Sequence, residues 1–344
     1  MPLPAIFIRH KRRLLFVSTL AGVLSLSGCV ADDEVDKATA EFVQASATLT
    51  QSYQALLMNA NLVEADNFIV NQAYAVNEAF APTPGPITDP KIKATAVLTD
   101  SEIKSRTDAI KALADYTTAL ATLAAGKPGA QIQADAATAS GSVKSLTTDL
   151  TTLVVTTPAG GTAPNFASPA AAAATAIGDV LKVIENHQSA KAIRDSIKSE
   201  DGKITPLYEA MEKESAKFFD RQKTAMNTVN LTLLSRYNVA IANHPIDQGY
   251  LLQVSDLLRQ HQKDVVVLSA SDPTKAIGDF EATHVALVKL VAADQTADKK
   301  KFLAELIAEI KSFIAEVKTP TASPSTGTSS SSNTNPNSST NSKS

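Results

Sequence analysis

Three features of this 344-residue chain are of the right type and spacing to do chemistry: one thiol, Cys29, and two carboxylate–histidine pairs, His261 with Asp264 and Glu281 with His284. Residues three apart on a helix share a face, so each pair could point an imidazole and a carboxylate at a common target. Helical bundles that hold two metal ions use the Glu-x-x-His unit in this way, but they need two copies and further glutamates from neighbouring helices. Only one copy is present, so no metal ligands are assigned, and a histidine at the rim of a helical core is the expectation. His187 and His244 complete the histidines beyond the N-terminal segment, and none lies in an HExxH pair. There is no GxSxG, no glycine loop ending in Lys-Ser or Lys-Thr, and no GxGxxG opening a helix. No catalytic residue and no cofactor is therefore predicted, and the chain does not read as an enzyme. With no Trp and 6 Tyr, the usual stacking platforms for sugars and bases are scarce as well.

Cys29 has a more telling context. Residues 1–13 carry Arg9, Lys11, Arg12 and Arg13 with no acid, and 13 largely apolar residues, Leu14 to Leu26, follow. That stretch falls short of the ~20 residues a helix needs to cross a bilayer. A basic block, a short apolar run and small residues before a cleavage point form the layout of a secretion signal. The run Leu26-Ser27-Gly28-Cys29 resembles the lipobox of bacterial lipoprotein precursors. The resemblance implies a diacylglycerol on the Cys29 thiol, a cut between Gly28 and Cys29, and acylation of the new amino end. It covers the N-terminal segment alone, and no family is recognised for the remainder. Each buried methylene contributes ~0.8 kcal/mol, so two or three chains tether a protein durably without spanning the bilayer. Val30 stands where an Asp often retains such proteins at the inner membrane, so in a two-membrane organism the outer membrane, facing the periplasm, is expected.

With Cys29 committed to lipid, no thiol remains for a disulfide, and the fold must hold by packing. Removing residues 1–28 takes four cations, leaving 28 Lys and Arg against 35 Asp and Glu, a net of −7. That balance argues against nucleic acid as a partner.

These residues must be positioned by helices, since alanine is abundant, glycine is sparse and aromatics are 5%. Val35, Phe42, Leu49, Leu56, Val63 and Val70 recur at helical period, marking one long helix from about Glu34. Pro82, Pro84, Pro86 and Pro90 end the pattern. Thr99 and Glu102 stand at capping-box spacing before a second helix, which Gly126 and Pro128 close. A third stripe runs from Ile132 to Leu153, and a short link should fold it back antiparallel on the second. A fourth helix is expected from about Ser168 to Gly202. Thr205 as cap and Pro206 at the first helical position should then open the second long helix, reaching about Asn243. Three shorter ones follow, at about 247–270, 272–293 and 296–318.

The expected fold is all-α, an elongated antiparallel helical bundle with two long helices and about six shorter ones. Its organisation is a signal peptide at 1–28, a lipidated tether at 29–33, the bundle at 34–318 and a tail at 319–344. The tail is Ser, Thr, Asn and Pro with one charge, Lys343, too polar to offset its ordering entropy. The function expected is that of an envelope scaffold, joined to the membrane through lipid on Cys29 and to an envelope protein through its helix faces. Residues 150–178 carry no charge. They frame the alternative of a membrane-active, pore-forming protein; a metal-binding bundle protein centred on His261, Glu281 and His284 is the other.

Overall fold

The computed structural model describes residues 32–74, 96–156, 166–186, 189–242, 247–269, 273–293 and 296–317. The signal peptide, Gly28, Cys29, His187, His244 and the 319–344 tail lie outside the described residues. Among those described, eight helices and no strands are found. They are α1 (Asp32–Tyr74), α2 (Asp100–Ala124), α3 (Gly129–Thr156), α4 (Ala167–Glu185), α5 (Ala190–Ala242), α6 (Gln248–Ser269), α7 (Thr274–Ala292) and α8 (Thr296–Val317). The long helices have 43 and 53 residues, rods of about 65 and 80 Å at 1.5 Å per residue.

Local chemistry explains most boundaries. At the start of α2 the Glu102 amide donates to Thr99 Oγ1 (3.2 Å) and the Thr99 amide donates to Glu102 Oε2 (2.8 Å), completing the capping box. Gly126 stops the helix in the left-handed region, φ 64°, where a side chain would be strained. Asp247 Oδ1 accepts from the Tyr250 amide at the head of α6. The first helix begins at Asp32, inside the segment expected to be tether.

One expected boundary is wrong. The chain breaks between Glu185 and Ala190, and α5 then runs unbroken through Gly202 and Pro206. Ser189 caps it, accepting from the Ala192 amide. Interior proline costs a helix ~3 kcal/mol. The continuous rod buries Ile197, Ile204, Leu207, Tyr208 and Met211 on one stripe across the proline, and each such side chain contributes about 1.5–3 kcal/mol. Gly202, whose carbonyl proline leaves without a helical donor, is exposed, as is Pro206. Packing outweighs the local terminator signals.

Helices joined in sequence pack antiparallel along most of the chain, but among the described residues α6 packs on α5 and not on α7. Between α2 and α3, Lys104 meets Asp149, Ser145 meets Asp108 and Thr122 meets Asp135. Between α7 and α8, Lys275 meets Glu316 and Ser312 meets Asp279. The two long rods, however, run parallel. Phe42 and Tyr208 share Phe280, Gln222 Nε2 donates to the Leu56 carbonyl (2.6 Å), and Arg221 pairs with Glu64 (2.5 Å). The first helix also packs on α2 and α8. Phe42, Phe280 and Phe313 stack with centroids 5.5–5.8 Å apart, joining α1, α7 and α8 at the core.

The return from α1 to α2 is held by one side chain. Asn61 Oδ1 accepts from the amides of Val97 (2.9 Å) and Leu98 (3.0 Å), and Nδ2 donates to the Leu98 carbonyl (2.7 Å). Asn61→Ala removes three bonds and strands partly buried backbone groups, so a stability loss of about 1–3 kcal/mol is expected. Urea denaturation checks the magnitude, and amide exchange at Val97 and Leu98 should rise first.

Candidate functional site

The two carboxylate–histidine pairs are not brought together. His261 Nε2 lies 2.7 Å from the Met226 carbonyl on α5 and donates to it. His284 Nε2 lies 3.0 Å from Asp201 Oδ1, also on α5. Met226 and Asp201 are 25 residues apart along that rod, about 37 Å at the helical rise. Among the described residues no group of three or more His, Cys, Asp or Glu side chains could hold a metal ion.

His284 departs from the rim position expected of it. It is 0% exposed, clasped between the rings of Tyr116 (centroids 5.7 Å) and Tyr208 (5.5 Å), with Phe280 one turn away on α7. The cause is its place on the buried stripe of α7, beside Ile277, Phe280 and Leu287. Asp201, partly exposed, holds the ring by accepting its Nε2 proton. Nδ1 of His284 and the Tyr116 hydroxyl are buried without a hydrogen-bond partner among the described residues, a cost of about 1–3 kcal/mol each. Burial pushes the Tyr116 and Tyr208 hydroxyls far above the ordinary tyrosine range, and nearby carboxylates add to it for both. These phenols stay protonated, and the arrangement works as a packed polar node.

Glu281 lies on the same helix and takes no part in the His284–Asp201 bond. Partial burial raises its pKa above the ordinary value, and the carboxylates of Glu209, Glu212 and Asp201 push it the same way. A raised folded-state value means stability that is full below the unfolded value and declines as pH rises through the folded one. Glu281→Gln should therefore stabilise the protein at neutral pH and change little in acid. Solvent screening limits the gain to about 0.5 kcal/mol or less. Thermal melts of both proteins from acid to neutral pH measure it.

The most deeply buried ion pair among the described residues has no signature in the sequence. Arg106 on α2 and Glu214 on α5 meet through two bonds, Nε to Oε2 (2.8 Å) and Nη2 to Oε1 (2.9 Å), with both side chains 1% exposed. The Phe166 ring lies 4.8 Å from the guanidinium carbon, and Nη1 donates to the Glu102 carbonyl. Burial pushes the Glu214 carboxyl up, while Arg106 pulls it down. No spacing rule links positions 108 residues apart.

An open groove of about 320 Å³ lies between α1 and α2, lined by Gln54, Met58, Asp100, Ile103, Lys104, Thr107 and Asp108. Lys104 bridges Asp108 (2.9 Å) and Asp149 (2.5 Å) at its wall. Burial raises both carboxyls; hydrogen bonds from Asp149, Lys104 and Ser145 outweigh it at Asp108, whose pKa falls, whereas Asp149 is raised. The network ties α2 to α3. No protein-family model, curated protein or solved structure matches this chain.

Proposed function

We propose that the protein is a bacterial envelope lipoprotein, tethered through lipid on Cys29, whose helical bundle serves as a structural or protein-interaction scaffold. The observation that carries this reading is the basic-then-apolar N-terminus closing on Leu26-Ser27-Gly28-Cys29, with two residues between Cys29 and Asp32, where α1 begins. Removal of residues 1–28 by signal peptidase would leave the acylated cysteine almost directly on the first rod. In a two-membrane organism, Val30 favours the outer membrane, with the bundle facing the periplasm. An envelope protein is the expected partner of the exposed helix faces.

The bundle supports the scaffold over the membrane-active alternative. By length and composition α4 is apolar enough to cross a bilayer. Yet Ala170, Ala173, Ala176, Ile177, Val180 and Leu181 pack it into the core against its neighbours. Releasing it would expose that stripe and the faces it covers on α3 and α5.

The test is complementation of a deletion strain by a chain exported through a non-lipoprotein signal and lacking Cys29. A tethered scaffold predicts a folded, released domain that fails to complement. Full complementation would sink the reading.

A further inference from the structure

We infer that α5 is built to open at Gly202–Pro206, that the His284–Asp201 hydrogen bond is the latch that keeps it closed, and that opening exposes the Tyr116–Tyr208–His284 node. The inference concerns motion within the bundle and does not depend on lipid at Cys29.

Four observations converge on one turn of helix. Pro206 has no N–H, so the carbonyl four residues earlier, that of Gly202, lacks its helical donor. Gly202, Lys203 and Pro206 are exposed, and a Cβ built on Gly202 would meet nothing within 4 Å, so no neighbouring element braces this side. The same residues encode a competing structure: Gly202 as terminator, Thr205 as N-cap and Pro206 at the first helical position form a good start for a separate helix. A helix carrying both solutions needs something to select one.

The selection falls to the buried stripe through Ile204, Leu207 and Tyr208 together with polar contacts flanking the weak turn. Asp201, immediately before Gly202, accepts from His284 Nε2 at 3.0 Å and so ties α5 to the buried face of α7. Glu200 accepts from Lys203 at 2.7 Å across the same turn. What the latch covers favours release. The Tyr116 hydroxyl and His284 Nδ1 are buried without partners among the described residues, and both gain them from water once α5 breaks. A closed state carrying unsatisfied polar groups beside a proline-weakened turn is set to open locally before it unfolds globally.

Amide exchange on the folded, full-length protein tests this, with carbethoxylation of His284 as a second readout. Lys203, Ile204, Thr205 and Leu207 should exchange at least tenfold faster than the amides of 218–226 on the same rod. Asp201→Ala, which removes the side-chain acceptor for His284 Nε2–H, should accelerate both that exchange and His284 modification at least tenfold, leaving 218–226 unchanged. Pro206→Ala should slow both, because it restores the missing donor and removes the competing helix start. Exchange at 203–207 that matches 218–226 in the native protein would overturn the inference. So would an Asp201→Ala protein whose helices all exchange faster together, or a Pro206→Ala protein that exchanges no more slowly.

Discussion

Arg106→Met should lower the unfolding free energy by about 3–5 kcal/mol, among the largest losses any single substitution in this chain would produce. The guanidinium is 1% exposed and makes two bonds to Glu214, one to the Glu102 carbonyl, and a stacking contact with Phe166. Its removal leaves a carboxylate in the core with no cation. Burial already pushes Glu214 above its ordinary value of 4.5, and loss of Arg106 removes the main opposing influence. Because that folded-state value lies above the unfolded one, the penalty grows as pH rises through it and shrinks on acidification. The mutant's deficit should therefore be largest near neutral pH. Arg106→Met combined with Glu214→Leu should recover most of the loss, since an apolar pair of similar volume avoids burying charge. Urea titrations read both effects as a shift of midpoint at constant slope. A single-mutant loss below about 1 kcal/mol would place the pair in the class of solvated surface bridges.

Cys29→Ser should have the largest effect on the cellular form of the protein. On the proposed lipoprotein reading, a serine cannot supply the thiol to be alkylated, and the lipoprotein-specific cut would follow that alkylation. The expected result is an uncut precursor carrying residues 1–28, with no incorporation of radioactive palmitate. Stability of the folded bundle should be unchanged, because the described helices begin at Asp32. Equal palmitate label in wild type and mutant would remove the basis for the tether.

Period and punctuation in the sequence made most of the architecture legible. The apolar stripe from Phe42 to Leu56 and the caps at Thr99 and Asp247 depend only on residues within a few turns. The misplaced boundary at Gly202–Pro206 shows where such reading stops, because the terminator signals there are genuine and are overruled by side chains that pack on other helices. Ser189 is a local cap signal inside the span expected to be one helix, and the structure uses it. The polar core was less accessible still. His284 shares its face with Ile277, Phe280 and Leu287, a stripe present in the sequence, but nothing local says that this stripe lies at the centre of the bundle and not at its rim. Arg106 and Glu214 are each ordinary helix residues until the fold superimposes α2 on α5. The parallel course of the two rods follows from the number of turns between them and from packing across the whole bundle.

The aromatic cluster of Phe42, Phe280 and Phe313 also constrains the order in which the protein can assemble. Phe42 leaves the ribosome early and Phe313 nearly last, so the first helix cannot complete its core until the final one has been delivered. Hairpins such as α2–α3 form from near neighbours and can close early, whereas α1 awaits contacts more than two hundred residues downstream, a slow and aggregation-exposed step. Until then the apolar stripe of the first rod is covered only in part, by α2, while the rest of the chain arrives. A nascent chain truncated before α8 should be bound by chaperones or degraded, even though it contains seven of the eight helices.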